Sequence, residues 1–194
     1  MANRELAKEL AEIKYREGIR EIAENLCNDN KNVQSDCVKV LYEIGYLDPE
    51  LVAGYVGDFL KLLKSKDNRL VWGGMLALST IAGIKAEELY QHYEEITRVM
   101  EQGSVITRDN GVKILATIAS RKDEYRERIF PYLLKHLETC RPKDVPQHAE
   151  STVMAVNAVN KKEFIKVIEK RMADMTGSQG ARLKKVMKEA EYGM

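Results

Sequence analysis

One feature limits what this chain can fold into more than any other: a long-period internal repeat. Three segments, VQSDCVKVLYEIG (33–45), LVWGGMLALSTIA (70–82) and TRDNGVKILATIA (107–119), align at a spacing of 37 residues. Val38, Met75 and Val112 share one position, Leu41, Leu78 and Leu115 the next, and Ile44, Ile81 and Ile118 a third. HAESTVMAVNAVN (148–160) follows at a spacing of 41, with Val153, Val156 and Val159 expected in the same three places. Apolar residues at i, i+3 and i+6 line one face of a helix and do not fit a strand.

The segments between these copies repeat as well. YVGDFLKLLKS, YEEITRVMEQ and RIFPYLLKHLE equate Val56, Tyr93 and Phe130, then Phe59, Ile96 and Leu133, then Leu63, Met100 and Leu137. Two helix types therefore alternate with one period. A hairpin with a single apolar face per helix cannot bury its core alone, so such units must stack into a continuous seam. The pattern predicts helices near 3–14, 16–27, 33–45, 49–64, 69–83, 86–102, 107–120, 122–139, 146–160, 161–175 and 180–191. Asp48-Pro49-Glu50 reads as N-cap, N1 proline and acidic first turn. Arg141-Pro142-Lys143-Asp144-Val145-Pro146 accounts for the stretched spacing. The expectation is one domain over 1–194: a polar cap helix at 1–15, repeats near 16–46, 47–83, 84–120 and 121–160, and a terminal pair at 161–194.

These repeats resemble the HEAT and armadillo class. In HEAT units a proline-bent first helix leads through an Asp-containing turn into a second helix patterned like V-R-x-x-A-x-x-A-L. Phe130-Pro131-Tyr132-Leu133-Leu134 is similar to the first helix. Asp67-Asn68-Arg69-Leu70-Val71 with Met75-Leu76-Ala77-Leu78 is similar to the turn and second helix, and Asp109-Asn110-Gly111-Val112-Lys113-Ile114-Leu115 is a weaker copy. The usual Arg is missing, and Trp72 stands near its place. The resemblance covers roughly residues 16–176 and implies an all-α fold, a right-handed α-α superhelix (a HEAT-like solenoid) of about five helical hairpins.

Composition fits a globular chain: 44% of residues are apolar, enough for a continuous core, and 31% are charged. The net charge of +1 sets up no field that would draw nucleic acid or membrane. The ends differ. Residues 1–60 carry 7 basic and 12 acidic side chains, net −5, whereas 161–194 carry 9 basic and 5 acidic, net +4. Weak head-to-tail self-association through these ends is one expectation, and ordinary drift among solvated helix faces is the other. Cys27, Cys37 and Cys140 are odd in number and form no CxxC; the spacing of His92, His136 and His148 suggests no ligand set, so no metal site is expected. The charged N-terminal segment and the cysteine usage point to a reduced, cytoplasmic setting.

No GxSxG, HExxH, P-loop or GxGxxG occurs, so no catalytic residue and no cofactor is expected. Glu87-Glu88, Glu94-Glu95 and Asp123-Glu124 sit where ordinary solvated or helix-start carboxylates sit. Iron-dependent hydroxylases of HEAT-like architecture carry His-Glu pairs, and none is present. Alkylpurine DNA glycosylases of this shape need a basic, aromatic concave face; one Trp and a near-neutral chain make nucleic acid the lesser alternative.

In HEAT-like solenoids the second helices line the concave face. The resemblance therefore implies a partner-binding strip of Lys39, Glu43, Trp72, Leu76, Asp109, Lys113, Glu150 and Asn157. Trp72 and Leu76 are four residues apart on one helix side, and Gly73 and Gly74 adjoin them. Either the glycines admit a neighbouring helix and Trp72 is core, or Trp72 anchors a protein or peptide partner.

Overall fold

The computed structural model describes residues 2–192. Twelve α-helices and no strand occur among them. They are α1 (Ala2–Glu12), α2 (Arg16–Glu24), α3 (Lys31–Leu47), α4 (Val56–Leu62), α5 (Asn68–Ile81), α6 (Ala86–Tyr90), α7 (Tyr93–Gln102), α8 (Val105–Arg121), α9 (Asp123–Thr139), α10 (Val145–Thr152), α11 (Lys161–Arg171) and α12 (Gly177–Tyr192). Hairpins form from α2 with α3, α4 with α5, α9 with α10, and α11 with α12, and Gly111 of α8 lies against Met100 of α7. The chain divides into two compact units, Met1–Gly111 and Val112–Met194.

The repeat positions fill the core. All nine second-helix positions, from Val38 through Ile118, are buried, and Leu41, Leu78 and Leu115 are fully so. Of the nine first-helix positions, eight are buried. Tyr93 is half-buried and stacks on Tyr90 at 5.7 Å between ring centroids. Burying each such aliphatic side chain contributes about 1.5–3 kcal/mol.

Local chemistry sets the boundaries. Asp67 caps α5, its carboxylate accepting the Arg69 N–H at 2.9 Å. Asp48 caps the turn Pro49–Leu51 in the same way, but the helix expected from 49 to 64 is two 3-10 turns followed by α4. The helix expected over 86–102 breaks between α6 and α7 at Gln91-His92. Pro131 lies inside α9, as the continuous periodicity predicts. It is exposed, so the Glu127 carbonyl that loses its helical donor faces the solvent side.

The fourth copy departs from expectation. α10 ends at Thr152, a 3-10 turn covers Val153–Ala155, and Val156 is extended. Val153 is buried, but Val156 is only half-buried and Val159 is 87% exposed. Asn157 and Asn160 cause the break. The Asn157 Oδ1 accepts the N–H groups of Val159 and Asn160, and the Asn160 Oδ1 accepts that of Asn157 at 2.8 Å. Such side-chain bonds satisfy the backbone outside a helix and compete with it.

Candidate functional site

In the first unit, α3 packs against α1 and α5. Gly73 and Gly74 make close packing possible. A Cβ on Gly73 would stand 2.7 Å from Val38 Cγ1 of α3, and one on Gly74 would stand 3.0 Å from the Phe59 carbonyl oxygen of α4. Both glycines thus serve helix approach. Trp72 beside them is half-buried, as is Leu76 one turn on. Among the described residues, none accepts a hydrogen bond from the Trp72 indole N–H. A large apolar ring with a free donor therefore reaches the surface of α5.

On α3, Lys39 is half-buried, and Glu43 is covered by the cap helix: Arg4 Nε donates to its carboxylate at 3.0 Å. Asn3 likewise donates to Asp36 at 2.8 Å. The cap helix therefore occupies part of the strip. It also opens a groove of about 620 Å³ against α3, lined by Arg4, Lys8, Ala11, Glu43, Tyr46 and Leu47 among others. Tyr46 and Leu47 are 50% and 58% exposed. The sequence pattern marks 1–15 as a polar cap and nothing more. Tyr46 and Leu47, apolar yet outside the i, i+3, i+6 set, are the signal that could have found the groove.

Asp109 is half-buried in α8. In the second unit Lys113 is half-buried too, and Glu150 is engaged by Arg182 of α12 in a bidentate pair at 2.8 and 2.7 Å. The Arg182 hydrogen bonds, with its charge, hold the Glu150 carboxyl below its usual range. Asn157 belongs to the turn after α10 and to no helix. In each unit, then, part of the expected strip is engaged within the chain.

The second unit also gathers three donor side chains that spacing does not suggest. His136 and Cys140 are one turn apart at the end of α9, and His148 is fully buried in α10. Two imidazole nitrogens, His136 Nε2 and His148 Nδ1, are 2.9 Å apart, and one donor atom from each of the three residues lies within 4.8 Å of the others. Burial pushes the Cys140 thiol up from its ordinary value, with the Arg171 guanidinium opposing. Arg171 is buried and donates to the carbonyls of Leu137 at 2.6 Å and Cys140 at 2.9 Å, closing the C-terminus of α9. The i, i+4 spacing of His136 and Cys140 is the signal that sequence reasoning missed.

No protein-family model and no curated protein matches the chain in sequence. Solved structures do match in fold. A designed armadillo repeat protein in complex with the peptide (KR)4 superposes with a TM-score of 0.75 at 15% identity, over 96% of this chain and 86% of that one. Computationally designed armadillo repeat proteins for modular peptide recognition give 0.73 at 15% identity, over 97% and 91%. An engineered protein of the Northeast Structural Genomics Consortium gives 0.69 at 18% identity, over 98% and 90%. The chain has the all-α, armadillo-type helical-repeat fold. No described helix is long and apolar enough to cross a membrane.

Proposed function

We propose that this chain is a non-catalytic helical-repeat scaffold that binds a protein or peptide partner in the cytoplasm, through the surface of its second helices. The observation that carries the reading is Trp72: a half-buried ring on a second helix, with Leu76 one turn away and an indole N–H that no described residue engages. Aromatic anchors with apolar neighbours and a charged rim dominate interface energetics. The designed armadillo proteins that share the fold, one solved with a bound peptide, support the same use of it. Against nucleic acid stands the near-neutral net charge of +1, and the two arginines of the basic C-terminal segment are held within the chain: Arg171 is buried on carbonyl oxygens and Asp174, and Arg182 is paired with Glu150.

The test is a peptide-display selection on the immobilised full chain, followed by titration of the enriched peptides. Trp72→Ala is expected to weaken them by about 2 kcal/mol or more, roughly 30-fold. Its cost to stability should stay below the ~3–5 kcal/mol of a fully buried aromatic. Iodide should quench the single Trp in the free chain and lose access when peptide binds. Selected peptides that bind Trp72→Ala as tightly as the parent would overturn the reading.

A further inference from the structure

We propose that His136, Cys140 and His148 form a zinc site that staples the end of α9 to α10. The chemistry of the set comes first. Two imidazoles and one thiol are borderline-to-soft donors, which suit zinc and not magnesium or calcium. Three protein ligands leave a fourth tetrahedral position for water.

The geometry is close to what such an ion needs. Zn–N bonds near 2.0–2.1 Å and a Zn–S bond near 2.3 Å place tetrahedral donors about 3.5 Å apart. The facing His136 and His148 nitrogens are already 2.9 Å apart, and no pair of donor atoms in the set exceeds 4.8 Å. Rotations that move the donor atoms by about 1 Å close the remaining gap to the ~3.5 Å that tetrahedral zinc needs. The three residues come from two helices that pack on each other, so their backbones are held in place.

Placement in the repeat gives the site a purpose. The period stretches from 37 to 41 residues in the segment between Cys140 and His148. That segment holds Pro142 and Pro146 and links α9 to α10 through one 3-10 turn. An ion bound at its two ends restrains the connection. Without the ion, one imidazole donates its N–H to the other. On coordination both facing nitrogens offer lone pairs: the imidazole that was protonated there carries its proton on its other nitrogen, and the thiol proton passes to water. Two neutral imidazoles and one thiolate then hold the dication.

The experiment uses the full chain, free of any affinity tag and stripped with chelator, with Co2+ as the spectroscopic probe. One equivalent should produce a thiolate-to-cobalt charge-transfer band and the intense visible bands of tetrahedral cobalt, and one equivalent of Zn2+ should remove both. Zinc should also raise Tm, because a ligand that binds only the folded state stabilises it. Outer-shell changes already cost 10–100-fold in affinity, so Cys140→Ser and His136→Gln should each weaken zinc binding by about 100-fold or more and abolish the Tm rise. Cys27→Ser, an exposed cysteine outside the cluster, should change nothing. Circular dichroism and metal-free melts of each variant establish that it folds; both tested ligands are half-buried, so one variant suffices if the other unfolds. No charge-transfer band in the parent chain, or a band that survives Cys140→Ser or disappears in Cys27→Ser, overturns the proposal.

Discussion

Replacing Gly111 by Ala tests the packing with a sign that helix propensity alone gets wrong. Gly111 lies in the interior of α8, where Gly costs about 1 kcal/mol relative to Ala. Propensity therefore predicts that Gly111→Ala stabilises. The packing says otherwise. A Cβ there would stand 2.7 Å from Met100 Cβ and 2.9 Å from Met100 Sδ. Met100 is fully buried in α7, and its Cβ cannot swing aside without moving the backbone. Overpacking of this kind costs about 1–3 kcal/mol. With the propensity gain of about 1 kcal/mol offset, the net loss is up to about 2 kcal/mol, a fall in Tm of up to roughly 8 °C for a chain of this size. Gly57→Ala is the matched control: it is exposed in α4 and a Cβ there meets nothing within 4 Å. It should raise stability by up to about 0.5–1 kcal/mol. Thermal and urea unfolding of the two variants decide the matter. A Gly111→Ala protein that melts at or above the parent would refute the packing argument.

Three further outcomes are expected. Leu78→Ala, at a fully buried repeat position, should cost about 2–5 kcal/mol in urea unfolding. Arg171→Met keeps much of the apolar stem but removes the donors to the Leu137 and Cys140 carbonyls; a loss of about 2–4 kcal/mol is expected, and a neutral result would mean those carbonyls find other donors. Because the Glu150 carboxyl is held below its usual range, the Arg182 pair contributes stability above the unfolded value near 4.3 and loses it as pH falls through the lower folded one. The pair is partly exposed, so the contribution is about 0.2–1 kcal/mol, and Glu150→Gln should flatten that part of the acid-stability curve.

The core was legible because a repeat over-determines it. Each apolar position is stated several times at the same spacing, and the nine second-helix positions from Val38 to Ile118 are all buried. Element boundaries were legible where a side chain caps them, as Asp67 does. The expected site was less so. Exposure along a second helix depends on what packs over it, and the sequence does not announce that Arg4 covers Glu43 or that Arg182 takes Glu150. Val156 and Val159 show the limit of pattern matching. Their spacing continues the core series, yet the two flanking asparagines satisfy the backbone locally and end the helix first.

Departures from the period are also where chemistry can be accommodated. A residue at a repeat core position is constrained by its neighbours: small changes of volume there create cavities or clashes. Residues in an insertion carry no such duty. The four residues that lengthen the fourth spacing fall between Cys140 and His148, and the helix that follows is shortened to Val145–Thr152. His148 opens that fourth aligned segment, in the place held by Val33, Leu70 and Thr107 in the others, and it is fully buried. A buried imidazole needs partners for its polar nitrogens. An apolar residue at 148 would pack without that cost, so the imidazole is explained by what it meets, and His136 meets it at 2.9 Å. The same reasoning applies to Trp72. It stands beside two glycines that let α3 and α4 approach, and it takes no part in the i, i+3, i+6 seam. Packing accounts for the glycines but not for the exposed part of the indole, whose N–H no described residue engages.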